Sequence, residues 1–312
     1  MSKKPSSTDL DRFILPFRVD GSGEFHLRSH KTAEKGGLDK EEGYKLLDAL
    51  RTRLTDFQDK LYAQDRWAVL VVLQGMDAAG KDSAIKAIFE GVNPQGCEVT
   101  PFKAPSTREL SHDFLWRNVL ALPERGHIGI FNRSYYEECL VTRVHPELLA
   151  KEKIPSKLMT HAIWRERFED ITSFERYLSR QGTIVLKFFL NLSKEEQRKR
   201  FLGRLDEPSK NWKFSMDDVT ERARWDRYQA VYQDIVRHTS SAVAPWHVVP
   251  ADHKWFARLV IGATIVRALE GLNLRYPRVD KASLEEFKAV REALEHEGKP
   301  VRKPKKQKGK LE

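Results

Sequence analysis

Five short apolar runs recur along the chain, at residues 69–73, 97–102, 127–131, 183–190 and 246–249. Runs of this length, rich in Val, Ile and Phe, predict buried strands. Between them the apolar positions change to helical spacing. Tyr44, Leu46, Leu47, Leu50, Leu54, Phe57 and Leu61 predict an amphipathic helix over 41–64. The same pattern predicts helices over 81–90, over 107–122 before Pro123, over 156–180 with its aromatic stripe, over 194–205 and over 216–239. Ser193 and Glu196 form a capping-box pattern, and Asp252 stands as N-cap of a last helix running to Leu269 and closed by Gly271. Strands alternating with helices place the chain in the α/β class with a central parallel sheet. Residues 1–39, with scattered Gly, Ser and charge, predict an extended arm with little regular structure.

Composition narrows the setting. A chain of 312 residues with 40% hydrophobic content can bury one substantial core. Its net charge is +10, but residues 299–312 alone hold seven basic side chains and one acidic. That Pro- and Gly-containing tail predicts disorder, serving as a loose polyanion contact or as a solubilising end. Cys97 and Cys139 lie in or beside apolar segments, which predicts small core thiols in a reducing compartment rather than a disulfide framework. No window reaches the ~18 apolar residues of a membrane span, and the polar N-terminus has no signal-peptide pattern, so the expected location is cytoplasmic. The histidines show no zinc-binding spacing.

The strongest chemical signal follows the first strand. Gly75, Gly80 and Lys81 satisfy Gly-x-x-x-x-Gly-Lys between a strand and a helix, the context in which backbone N–H groups and a helix N-terminus cradle phosphate. Two positions depart from the usual P-loop. Asp82 stands where a Ser or Thr normally holds Mg²⁺, with Ser83 one place later, and Asp77 lies inside the loop. A carboxylate in a phosphate cradle repels its ligand unless a cation intervenes, so Asp77 is expected to bind Mg²⁺ directly or through water. Lys103 follows the carboxyl end of the second strand, where ligands of open α/β sheets gather. The third strand ends in Asn132 and Arg133, with Glu137, or failing it Glu138, as the carboxylate that supplements the neutral Asn132 at the metal. Arg133 is placed to bridge phosphate oxygens with its planar fork, with Arg143 at the far end of the same helix as a second case. The basic helix carrying Arg200 and Arg204, running into a polar loop, fits a mobile lid whose cations arrive over transferring phosphates.

Taken together, Gly75 to Lys81, Val92 to Gly96, Phe102 to Ser106, Phe131 to Glu137 and Asp206 to Lys213 resemble the polyphosphate kinase 2 family over residues 38–271. The resemblance implies a P-loop kinase-like three-layer sandwich with a helical lid over about 194–239, between the arm at 1–39 and a C-terminal helix with the basic tail over 273–312. It implies transfer of the terminal phosphoryl of inorganic polyphosphate to a nucleotide, with Mg²⁺ or a substituting Mn²⁺. Asp77, Lys81, Asn132, Arg133 and Glu137 are then the reacting-site residues, and Asp77, Asn132 and Glu137 the metal positions. Gly75, Ala78, Ala79, Gly80, Asp82, Ser83, Lys103, Arg143, Arg200, Arg204 and Lys213 would hold the ligands. Many relatives carry Asp and Asn where this chain has Asn132 and Glu137, and the exchange resembles the class accepting AMP as well as ADP. Expected partners are polyphosphate, adenine nucleotides with guanine as a further candidate, and further copies of the chain in a dimer or tetramer, with no membrane or specific nucleic acid. An ATP-dependent nucleoside monophosphate kinase and a non-enzymatic polyanion binder stand as alternatives.

Overall fold

A computed structural model describes residues 7–295, except the side chains of residues 7–9 and 213. The basic tail at 299–312 lies outside the described residues. Residues up to Arg275 form one compact unit, and the remainder a second.

Residues 10–17 of the expected arm are built into the core, whereas residues 20–39 carry only bends, turns and one 3₁₀ turn. Ser7–Ile14 forms helix α1, a 3₁₀ turn spans Leu15–Phe17, and Arg18–Val19 forms strand β1. Leu10, Phe13, Ile14 and Phe17 fall at i, i+3, i+4 and i+7, and all four are buried in one cluster with the last core helix. That spacing was obscured by the Gly, Ser and charged residues around it.

Helix α2, Lys40–Gln64, starts from a complete capping box between Asp39 and Glu42 and leads into strand β2, Ala68–Gln74. The loop after β2 opens into α3, Lys81–Ile88, followed by edge strand β3, Cys97–Pro101. The single helix expected over 107–122 is not formed. A 3₁₀ turn at Glu109–Ser111 and the short α4, Trp116–Val119, take its place. Mutual bonds between Ser106 and Glu109 and an Asp113 carboxylate accepting from Leu115 N start separate turns, and Leu120 points outward at 67% exposure.

Strand β4, Ile128–Asn132, precedes α5, Glu137–Val144, and α6, Pro146–Leu149. Helix α7 covers Ile163–Arg180, shorter than expected at its start, and leads to strand β5, Thr183–Asn191. Helix α8, Lys194–Asp206, begins with Ser193 accepting from Glu196 N. The helix expected over 216–239 breaks at Arg224 into α9, Met216–Ala223, and α10, Trp225–Thr239. Strand β6, Trp246–Pro250, precedes α11, Lys254–Gly271. Asp252 is not its cap. The Asp252 carboxylate accepts from Ser193 N and Thr32 Oγ1, so it ties two loops together beside the sheet. The second unit contains helix α12, Lys281–Glu295.

The sheet order is β1-β6-β5-β2-β4-β3, parallel except for β1, which runs antiparallel to β6. Every residue of β2 is buried. Val69, Val71 and Leu73 face a cluster with α1, α2, α3 and α11, whereas Leu70 and Val72 face one with α5, α7 and α10. Burial on both faces is why β2 reads as a continuous apolar run instead of an alternating one. Gly43 lets α2 approach α11 closely, because an added Cβ would collide with the Trp255 indole on α11.

Phe13→Ala should therefore destabilise the protein by about 3–5 kcal/mol in urea unfolding, the loss typical of a buried Phe. A change below ~0.5 kcal/mol, typical of an uninvolved surface position, would return residues 7–17 to the role of a loose arm.

Candidate active site

The parallel register pairs Leu73 of β2 with Asn132 of β4, so the loop after β2 and the turn after β4 emerge side by side at the carboxyl ends of the strands. The loop is shaped by left-handed backbone at Ala78 (φ +62°) and Gly80 (φ +110°). Its carbonyls are held from behind. Arg200 Nη1 donates to Ala78 O at 2.9 Å and Ala79 O at 2.8 Å, Nη2 to Ala251 O at 2.6 Å, and Nε to Glu196 at 2.9 Å. Gln197 donates to Asp77 O at 2.9 Å. With these carbonyls engaged by α8, the N–H groups of Lys81, Asp82 and Ser83 open α3 without intrahelical partners and form the anion-facing end of the helix. Arg200 thus anchors the loop; it is not a cation that arrives with a lid.

Lys81 folds back over the loop, its Nζ donating to Gly75 O at 2.7 Å and Met76 O at 3.4 Å. Burial, and then the neighbouring Arg133 charge, pushes its ammonium below the usual lysine range, while Asp77, Glu137 and Asp82 oppose the shift. Arg133 has left-handed backbone at φ +66°, a conformation that costs a non-glycine residue on the order of 1–3 kcal/mol and marks functional turns. Its guanidinium lies 2.9 Å from Asp77 and 3.6 Å from Glu137, and Glu137 chiefly holds its charge. Asn132 Nδ2 donates to Asp82 Oδ1 at 2.6 Å.

These groups line one open cleft of about 760 Å³. The loop residues 77, 78 and 80–83 meet there Lys103 beyond β3, Asn132 and Arg133 beyond β4, and Arg200 and Arg204 from α8. Two cations the sequence did not point to, Lys210 from the segment after α8 and Lys254 at the start of α11, complete a lining of seven basic and three acidic side chains. That excess selects a polyanion. Not every expected residue gathers here. Glu137 lies behind the Asp77–Arg133 pair, in a narrow pocket with Tyr228 and Tyr232. Arg143 bonds Asp234 at 2.9 Å and packs over Trp164 and Phe168, away from the cleft. Glu138, the second choice to Glu137, is committed to Arg117 at 2.7 Å, and Arg117 in turn holds Lys103 O. Burial pushes the Glu138 carboxyl up. The Lys213 side chain lies outside the described residues.

Among the described residues no three His, Cys, Asp or Glu side chains converge as a metal cage. Two carboxylates, Asp77 and Asp82, with the Asn132 amide at the cleft wall, instead suit a hydrated hard cation that brings phosphate oxygens and waters as its remaining ligands.

A phosphate loop at the central strand of a parallel sheet, opening on a cationic cleft, defines a P-loop kinase-like phosphotransferase. Comparison with known proteins narrows the class. The family model described as polyphosphate kinase 2 (PPK2) matches residues 37–277, and the chain belongs to that family. It is 49% identical over 256 residues to the ADP-polyphosphate phosphotransferase of Rhodopseudomonas palustris, covering 82% of this chain and 89% of that one. It is 43% identical over 271 residues to the AMP/ADP-polyphosphate phosphotransferase of Meiothermus ruber, covering 86% and 97%. The crystal structure of polyphosphate kinase 2 from Arthrobacter aurescens TC1 superposes with a TM-score of 0.82 at 40% identity, covering 89% of this chain and 95% of that one.

Two adjacent glutamates separate by their surroundings. Glu138→Gln strands the buried Arg117 charge and should destabilise the fold by about 3 kcal/mol, the lower end for a broken buried pair because the amide keeps one hydrogen bond. Glu137→Gln should leave the urea midpoint nearly unchanged and lower turnover. The reverse pattern would exchange their assignments.

Proposed function

We propose that the protein transfers the terminal phosphoryl group of inorganic polyphosphate to ADP, and also to AMP, in a reversible reaction supported by Mg²⁺, with Mn²⁺ able to replace it. The observation that carries this reading is the single cleft in which Lys81, Arg133 and the loop amides meet five further basic side chains, a length of positive surface suited to a linear anhydride. The R. palustris relative, an ADP-polyphosphate phosphotransferase, and the M. ruber relative, an AMP/ADP-polyphosphate phosphotransferase, support ADP and AMP as acceptors. Neither alternative, an ATP-dependent nucleoside monophosphate kinase or a non-enzymatic polyanion binder, gains support from those relatives.

Polyphosphate and ATP are both phosphoanhydrides, so exchange between them is nearly balanced and needs no covalent intermediate on the protein. Catalysis reduces to aligning the acceptor oxygen with the transferring phosphorus and neutralising charge on the equatorial oxygens. The amides at the start of α3 hold the polyphosphate end. Lys81, now resting on Gly75 O and Met76 O, exchanges those carbonyls for phosphate oxygens, and Arg133 exchanges Asp77 for them in the same way. Glu137 keeps Arg133 charged and aimed. Asp77 and Asp82, with Asn132, would hold Mg²⁺, which when bound supplies the positive charge that lets these carboxylates share a site with phosphate. Lys103, Arg204, Lys210 and Lys254 track the rest of the chain. The reading extends to a cytoplasmic homo-oligomer whose acceptors are adenine nucleotides first and guanine nucleotides second; the exposed apolar side chains Leu158, Met159 and Tyr177 support contact with further copies.

Purified protein given ADP, polyphosphate and Mg²⁺, but no ATP, should form ATP, and AMP should give ADP. No product from either acceptor would overturn the reading. Lys81→Ala and Asp77→Asn should each lower kcat at least ~10²-fold, the loss typical of removing one charge-stabilising group. Near-normal turnover in either would remove that residue from the chemistry.

The KM for polyphosphate should rise steadily between 50 mM and 500 mM salt as the Debye length shrinks from ~14 to ~4 Å. A salt-independent KM would show that the cationic lining does not hold the substrate.

A further inference from the structure

Behind the cleft lies a charged network that the chemistry above does not use. Lys187, in the middle of β5 between Val72 of β2 and Trp246 of β6, is fully buried, as is Glu175 on α7. The lysine has three N–H donors and all three are spent: on Glu175 Oε2 at 2.6 Å, Thr239 O at 2.7 Å and the Tyr136 hydroxyl at 3.0 Å. The other Glu175 oxygen accepts from Tyr135 OH at 2.8 Å and Tyr136 OH at 2.7 Å. Thr239 Oγ1 accepts from Trp246 Nε1, and the Tyr136 ring packs on Trp246 with centroids 4.7 Å apart. Neither Lys187 nor Glu175 lines the cleft.

The network leads to one place. Tyr135 and Tyr136 stand between Arg133, held in left-handed backbone, and Glu137, which pairs with it. The intervening Ser134 receives hydrogen bonds from Gln74, the residue before Gly75, and from Tyr136 N. Apolar side chains of similar volume commonly replace a buried ion pair without loss of stability, so bulk stability does not explain this one. Directional bonds do something packing cannot, which is to fix the rotation and depth of two tyrosines.

Accepting the proposed reaction, we infer that Lys187 and Glu175 are positioning residues for it: through the Tyr135 and Tyr136 hydroxyls they set the Arg133–Glu137 segment against the phosphate loop. Tyr136→Phe keeps the ring on Trp246 and deletes one hydroxyl. It should lower kcat roughly 10–100-fold, as small displacements of reacting groups do, while the KM for polyphosphate stays within about twofold. Amide exchange at residues 133–137 should quicken at least about tenfold with β5 unchanged. Lys187→Met/Glu175→Gln, which removes both charges together, should melt within about 5 °C of wild type and still turn over slowly. Wild-type kcat and wild-type exchange at 133–137 in Tyr136→Phe would overturn the inference, as would a double variant that regains both; if the double variant fails to fold, Tyr136→Phe decides alone. Exchange is read on the protein without substrates, so it stands apart from the proposed activity. A wild-type protein without turnover would contradict that activity and the catalytic half of this inference with it.

Discussion

Positive charge crowded at the end of β2 is the constraint to which the rest of the site answers. Burial, and after it the neighbouring Arg133 charge, disfavours the ammonium of Lys81. The fold keeps them there by supplying carboxylates at short range: Asp77 and Glu137 on Arg133, and Asp82 nearby on α3. Neither partner of Arg133 is held as a closed, buried bridge. The 3.6 Å contact to Glu137 and the half-exposed Asp77 pair are not the tight buried bridges seen at Arg117–Glu138 or Lys187–Glu175. In the proposed reaction an anhydride chain with its cation takes the place of Asp77 on Arg133, and Glu137 stays behind to keep that charge paired.

The scaffold that makes this crowding tolerable is assembled from distant parts of the chain. Arg200 holds the loop from α8 and simultaneously binds the carbonyls after β6, so loop, lid base and the start of α11 form one hydrogen-bonded unit. A lid that moves would hinge beyond Arg200, carrying Arg204 and Lys210 while the loop's own anchor stays in place. The cleft so framed draws its basic side chains from separate elements: Lys103 beyond β3, Arg204 on α8, Lys210 after it and Lys254 at the start of α11.

Local signals explain which parts were legible in the sequence. The five parallel strands, the phosphate loop and helices α2 and α8 each carry their own pattern, and the structure has them where the apolar runs, the helical spacing and the Ser193 cap place them. Residues 7–17 did not stand out because four core side chains at helical spacing were diluted by turn residues. The stretch at 107–122 misled for the opposite reason, its apolar residues being periodic but only partly buried. Arginine roles were the least readable. Arg143, Arg200 and Arg204 look alike in sequence, and only the fold decides that Arg143 meets Asp234 away from the cleft, while Arg200 and Arg204 line it and Arg200 also holds the loop carbonyls. Lys254 opens a helix far along the chain from the loop whose cleft it helps to line, a placement no local pattern encodes. Lys187 offered one usable hint, a lysine inside an otherwise apolar strand, which required a buried partner.

The most direct test is a crystal structure of the protein with polyphosphate and Mg²⁺. The terminal phosphate should lie on the amides of residues 81–83, within hydrogen-bonding reach of Lys81 Nζ and the Arg133 guanidinium, with the cation between phosphate and Asp77. Polyphosphate ordered elsewhere on the surface, with Arg133 still on Asp77 and the loop empty, would contradict the central claim.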